Sequence, residues 1–104
     1  MAESAADAAT LLRRRRLRAW RRGTREMDLI LGPFADSRLA DLPAAELDLF
    51  DQLLAENDHD LYQWITARIA PESTGVAPPG PARYAGLLDR IAAHAAERLR
   101  APGV

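Results

Sequence analysis

The octet Arg21-Arg22-Gly23-Thr24-Arg25-Glu26-Met27-Asp28 constrains the fold more than any other stretch, because it reads as the end of one helix and the start of another. Glycine takes the positive φ that stops a helix, an arginine just before it faces the last carbonyls, and a threonine just after it caps the next helix. Glu26 then falls in a first turn, where the helix dipole favours a carboxylate. On local grounds alone the octet is a helix–helix corner.

The rest of the chain carries helical spacing on both sides of that corner. Ala8, Leu11, Leu12, Leu17 and Trp20 predict a helix from about Asp7, packed through the face that Leu17 and Trp20 share, with residues 1–6 frayed. The consecutive arginines 13–16 must sweep round that helix. Met27, Ile30, Leu31, Phe34 and either Arg38 or Leu39 predict a second helix, which Gly32-Pro33 should kink or break. Pro43 fits the first turn of a third, with Leu47, Phe50, Leu53 and Leu54 inside and Glu46, Asp48, Asp51 and Glu56 in water. Asp58 is the natural cap of a fourth helix carrying Leu61, Trp64, Ile65 and Ile69, closed by Pro71. Residues 71–81 hold four prolines and two glycines and read as a loop. From Ala82 a last helix shows Tyr84, Leu87, Leu88, Ile91, Ala95 and Leu99. With no strand periodicity and no internal repeat, the expectation is all-α: one domain over 1–104, a compact bundle of about five short helices, with a four-helix core at 7–70 and a C-terminal helix at 82–100.

Charge is divided along the chain more sharply than the net value of −1 suggests. Residues 1–25 set eight arginines against Glu3 and Asp7, whereas residues 26–60 set Arg38 against ten carboxylates. The split favours either internal pairing of the first helix with the middle of the chain or two partner surfaces of opposite sign. Every basic residue is arginine, which suits bidentate contacts, although a complete lack of lysine also follows from base composition. Without cysteine there is no thiolate metal site, disulfide or thiol nucleophile. No secretory leader or membrane-length segment is evident, so the expected location is cytoplasmic.

Candidate chemistry is sparse. His59 lies between Asp58 and Asp60, but adjacent residues do not converge on one point as ligands must, and capping already accounts for Asp58. His94 sits among alanines with no partner at chelating spacing, and reads as a surface or packing residue. No phosphate loop or nucleophile elbow is present, so no catalytic residue, bound cofactor or metal is expected. The run Arg13 to Arg16 with Trp20 admits a small nucleic-acid-binding or antitoxin-like regulator as an alternative, although Trp20 is better placed in the core and the acidic middle would repel nucleic acid. Membrane-surface binding ranks lower, since the apolar face of that helix is narrow.

The octet contains Arg22-Gly23-x-x-Glu26, and in this it resembles the succinate dehydrogenase FAD assembly (flavinylation) factors, a family of small five-helix proteins. Gly32-Pro33-Phe34-Ala35 downstream and Asp58-His59-Asp60-Leu61-Tyr62-Gln63-Trp64-Ile65 later extend the resemblance over residues 13–70. The last element is similar to the family's Asp-Pro-Asp-Leu-x-x-Trp-Leu, with His59 where proline is common. Pro43 stands where a serine or threonine cap is usual.

The resemblance implies a non-enzymatic, chaperone-like factor that binds the flavoprotein subunit of succinate dehydrogenase, and of fumarate reductase as a second client, and promotes covalent FAD attachment there. It implies no stably bound cofactor. The client contact it implies is Arg22, Gly23 and Glu26, with Arg21, Arg25 and Asp28 on the rim. Gly23 lets a partner backbone approach, and Arg22 and Glu26 offer opposite charges beside it.

Overall fold

The apolar stripes predicted for every helix after the first turn inward in the computed structural model, which describes residues 5–69 and 78–99. Among these residues the elements are α1 (Ala5–Trp20), α2 (Arg25–Arg38), a 3₁₀ turn (Leu39–Asp41), α3 (Ala44–Leu54), α4 (Asp58–Ile69), a second 3₁₀ turn (Ala82–Tyr84) and α5 (Ala85–Leu99). The described residues are all-α. Helix α1 lies along α2, α4 along α5, and α2 also meets α5. Of the start expected to fray over 1–6, residues 1–4 fall outside the described residues, whereas Ala5 and Ala6 already belong to α1; most of the expected loop at 71–81 and the expected stop beyond Leu99 also fall outside.

Met27, Leu31 and Phe34 of α2, Phe50 and Leu53 of α3, Leu61 and Ile65 of α4, and Leu87, Leu88 and Ile91 of α5 are fully buried. Phe34 and Phe50 meet with ring centroids 6.0 Å apart. At about 1.5–3 kcal/mol per buried side chain, this cluster supplies most of the drive to fold. Tyr84 is buried too, and its hydroxyl donates to Glu56 Oε2 at 2.9 Å, so Glu56 does not simply face water.

Helix α1 packs through a different face from the one its sequence suggests. Leu17 is 45% exposed and Trp20 38% exposed, while Ala19 is buried and Leu12, Arg15 and Arg16 are half-buried. Small residues bring the helices close. The Trp20 indole sits directly against Gly32, where an added Cβ would lie 2.3 Å from Cδ2, and its Nε1 donates to Asp36 at 3.0 Å. Trp20 is therefore a clamp across the α1–α2 seam rather than a core residue.

Helix α2 continues through Pro33, so of the expected kink or break the break does not occur. Proline removes the bond that the Leu29 carbonyl, four residues back, would accept. Arg98 of α5 supplies the replacement, its Nη1 donating to Leu29 O at 3.0 Å. Pro43 precedes α3 as its N-cap residue rather than entering its first turn, and its carbonyl accepts from Glu46 N and Leu47 N. Asp51 is also not simply solvated, because Arg15 reaches it with a two-pronged pair at 2.8 and 2.9 Å.

Candidate functional site

The corner predicted from the octet is present, and its geometry is set from beneath. Gly23 has φ +104°, outside the range that side-chain-bearing residues favour. The Thr24 hydroxyl accepts from Met27 N at 3.3 Å and caps α2. Arg22 N donates to Asp28 Oδ1 at 2.6 Å, which closes the turn from the other side.

The Arg22 guanidinium turns inward. Its Nε donates to Asp58 Oδ1 at 2.8 Å, its Nη2 to the Glu56 carbonyl at 2.8 Å, and its Nη1 to the Leu54 carbonyl. Those carbonyls belong to the end of α3 and the turn after it, where backbone acceptors lack helical partners. A single planar cation thus closes the end of α3, pairs with the start of α4 and ties both to the α1–α2 corner. The Arg22 and Asp58 side chains are only 11% and 18% exposed, so this contact is largely shielded from water. Arg22 does not offer a free charge beside Gly23.

Asp58 is available for this because it is not the cap of α4. Asn57 Oδ1 accepts from His59 N at 2.8 Å and Asp60 N at 3.2 Å, performing the capping role expected of Asp58. The change of one residue releases the Asp58 carboxylate toward Arg22.

What remains accessible at the corner is a mixed surface. Arg21, Gly23, Arg25 and Glu26 are exposed, whereas Asp28 is half-buried against the Arg22 backbone. A Cβ added at Gly23 would meet only Asp58 Oδ2, at 3.9 Å, so the space above the glycine is open. Beside it, Thr24, Glu26, Met27, Asp58, His59 and Tyr62 line a shallow groove of about 320 Å³. Tyr62, 43% exposed, gives this groove an apolar wall with a polar tip. The octet alone does not reveal Asp58, His59 and Tyr62 as part of this site. Their signal is the Asp-His-Asp-Leu-Tyr element, since Asp58 and Tyr62 lie four apart on one face of α4.

The two histidines differ in setting. His59 is exposed at the groove, whereas His94 is half-buried on α5, its ring edge-on to Phe34 with centroids 5.8 Å apart. Burial, then Arg38 and Arg98, push the His94 imidazole below its usual pKa, with Glu97 opposing. Among the described residues, no group of three or more acidic or histidine side chains is placed to hold a metal ion, and no helix is long and apolar enough to cross a membrane.

The family described as flavinator of succinate dehydrogenase matches residues 13–95. The FAD assembly factor SdhE of Photobacterium profundum is 39% identical over 82 residues, which are 79% of this chain and 84% of that protein. The mitochondrial succinate dehydrogenase assembly factor 2 of Cryptococcus neoformans is 36% identical over 91 residues, covering 86% of this chain and 47% of its own length. That of Mycosarcoma maydis is 48% identical over 65 residues, 62% of this chain and 24% of its own length. The chain thus spans between about a quarter and a half of these fungal relatives. No solved structure matches it significantly.

Proposed function

The chain belongs to the family of flavinators of succinate dehydrogenase, and on that premise we propose that it is a non-catalytic assembly factor that docks on the flavoprotein subunit of succinate dehydrogenase and promotes covalent attachment of FAD there. The flavin chemistry resides in the client. The factor contributes by holding a client conformation in which the flavin and its acceptor side chain are aligned, since orientation alone lowers a barrier by several kcal/mol in favourable cases. It binds no cofactor stably itself and works in the compartment where the client folds, the cytoplasm in a bacterium.

The observation that carries this reading is the rigid, uncovered corner at Gly23. Four hydrogen bonds from Arg22 fix it before any partner arrives, and a preformed surface loses less freedom on docking. Gly23 leaves room for a partner backbone. Glu26 and the Tyr62 groove stand beside it as the specific contacts, with Arg21 and Arg25 on the rim. Arg22 and Asp28 act by position, holding the corner rather than touching the client.

The test is co-expression of the chain with the flavoprotein subunit, followed by in-gel flavin fluorescence. Glu26→Ala is expected to lower covalent flavin severalfold while lowering the melting temperature by only a few degrees, because Glu26 is exposed, accepts no side-chain bond among the described residues and contributes only its first-turn dipole interaction. Undiminished flavin in that variant would overturn the assignment. If the corner were only a capped connector, losses of activity would instead follow losses of stability. The fumarate reductase flavoprotein is the second client for the same assay.

A further inference from the structure

Five of the eight arginines between residues 13 and 25 make no side-chain bond with a described residue. Arg15 and Arg22 are paired and Arg16 reaches the Ala35 carbonyl, whereas Arg13, Arg14, Arg18, Arg21 and Arg25 are exposed and make no side-chain bond with any described residue. Arg14 and Arg18 recur at helical spacing on the side of α1 turned away from Ala19, with Arg13 beside them, the exposed Leu17 between and Arg21 immediately after the end of the helix. Arg14 faces Arg18 across one turn, an arrangement that repels within the free protein. Its last member, exposed Arg21, lies two residues before exposed Gly23, so the strip adjoins the surface proposed above for docking.

We propose that this strip is the electrostatic half of the docking surface and that it engages a carboxylate-rich patch on the flavoprotein client. The inference rests on the proposed function and adds the chemistry of the partner surface. Nucleic acid fits poorly, because Trp20, the one aromatic residue of α1, is committed to Gly32 and Asp36 and cannot stack on bases. Glu26 also lies exposed three residues beyond Gly23, at the far end of the strip, where a phosphate backbone would be repelled. An anionic lipid surface fits poorly as well, because the exposed apolar side chains of α1 beside these arginines, Leu11 and Leu17, are isolated and form no continuous apolar face. A folded acidic surface with mixed charge at its edge meets both the strip and Glu26.

Surface charge of this kind acts mainly on the rate of encounter. Association with the purified flavoprotein subunit is measured by stopped flow at about 50 and about 300 mM salt. The variant is Arg14→Glu/Arg18→Glu/Arg21→Glu, compared with wild type and with Gly23→Arg. Wild-type kon is expected to fall at least about tenfold with salt, and the triple variant to start at least about tenfold slower with little salt dependence, its koff and melting temperature being close to wild type. Gly23→Arg is expected to raise koff instead. Equal kon for the triple variant and wild type overturns the strip while leaving the docking corner intact. Failure of the wild type to bind the subunit overturns both. Duplex DNA, tRNA and phosphatidylserine vesicles are titrated in parallel, and binding to any of them as tight as to the subunit, lost in the triple variant, overturns the choice of partner.

Discussion

Arg22→Ala should cost far more stability than any neighbouring arginine substitution. The change removes a pair with Asp58 whose members are 11% and 18% exposed, and it strips the Leu54 and Glu56 carbonyls of their donor. Removing one member of a buried pair costs about 3–5 kcal/mol, and the residual exposure and the access of water to the freed carbonyls reduce this to about 2–3 kcal/mol. For a domain of this size that corresponds to a fall in melting temperature of about 10–20 °C. Arg21→Ala and Arg25→Ala, which lose no internal bond, should stay within about 0.5 kcal/mol of wild type. Urea melts followed by circular dichroism measure all three, and a cycle with Asp58→Ala isolates the pair, with an expected coupling of about 1–2 kcal/mol. Arg22→Lys should fall between, since an ammonium cannot span three acceptors as the planar fork does. An Arg22→Ala variant as stable as Arg21→Ala would refute the claim that the corner is held from beneath.

Gly32→Ala sets two effects against each other. Alanine gains up to about 1 kcal/mol of helix propensity, but its Cβ would lie 2.3 Å from the Trp20 ring, and displacing the indole costs about 1–3 kcal/mol along with its bond to Asp36. The net expectation is about 1 kcal/mol of destabilisation with a red-shifted tryptophan emission. Gly23→Ala, forced to φ +104°, should cost about 1–3 kcal/mol without any steric clash, measurable by thermal melting. Arg98→Ala leaves the Leu29 carbonyl opposite Pro33 without its donor, and a loss of about 1 kcal/mol is expected, with faster amide exchange in α2. For His94 the folded pKa lies below the ordinary 6.5, so the unfolded chain binds more protons between the two values. Its contribution to stability is therefore complete above about 6.5 and declines as pH falls below it; urea melts from pH 7.5 to 5 should show the slope, and His94→Leu should flatten it.

The helices were legible because each carries an apolar stripe long enough to fix its period, and the corner because Gly23 and Thr24 have single local jobs. What the sequence concealed depended on contacts between distant residues. Pro33 reads as a helix breaker until Arg98, far along the chain, is seen to satisfy Leu29. Trp20 reads as core because its size outweighs the less obvious fact that Gly32 makes room for it on the surface of the seam. Asp58 reads as a cap because Asn57 and Asp58 are equally good candidates, and only the position of Arg22 decides between them. The charge split likewise left two outcomes open. The structure contains part of the first, with Arg15 and Arg22 paired to Asp51 and Asp58, and leaves five arginines for the second.

The division of labour at the corner follows from which groups are already committed. A short motif of arginine, glycine and glutamate suggests three residues meeting a partner together, yet the arginine spends its donors inside the molecule. That arrangement has a mechanical consequence. If Arg22 instead reached outward, the glycine turn would be joined to the α3–α4 turn by little more than apolar contact, and docking would have to order it. With the guanidinium inward, the ordering is complete when the chain folds, and Gly23 and Glu26 are presented on a fixed base. Loss of Arg22 and loss of Glu26 should therefore both impair the factor by different routes, one by softening the surface and the other by altering what it displays. Raising stability by other means, such as an osmolyte, should restore activity to an Arg22→Ala variant and leave Glu26→Ala impaired.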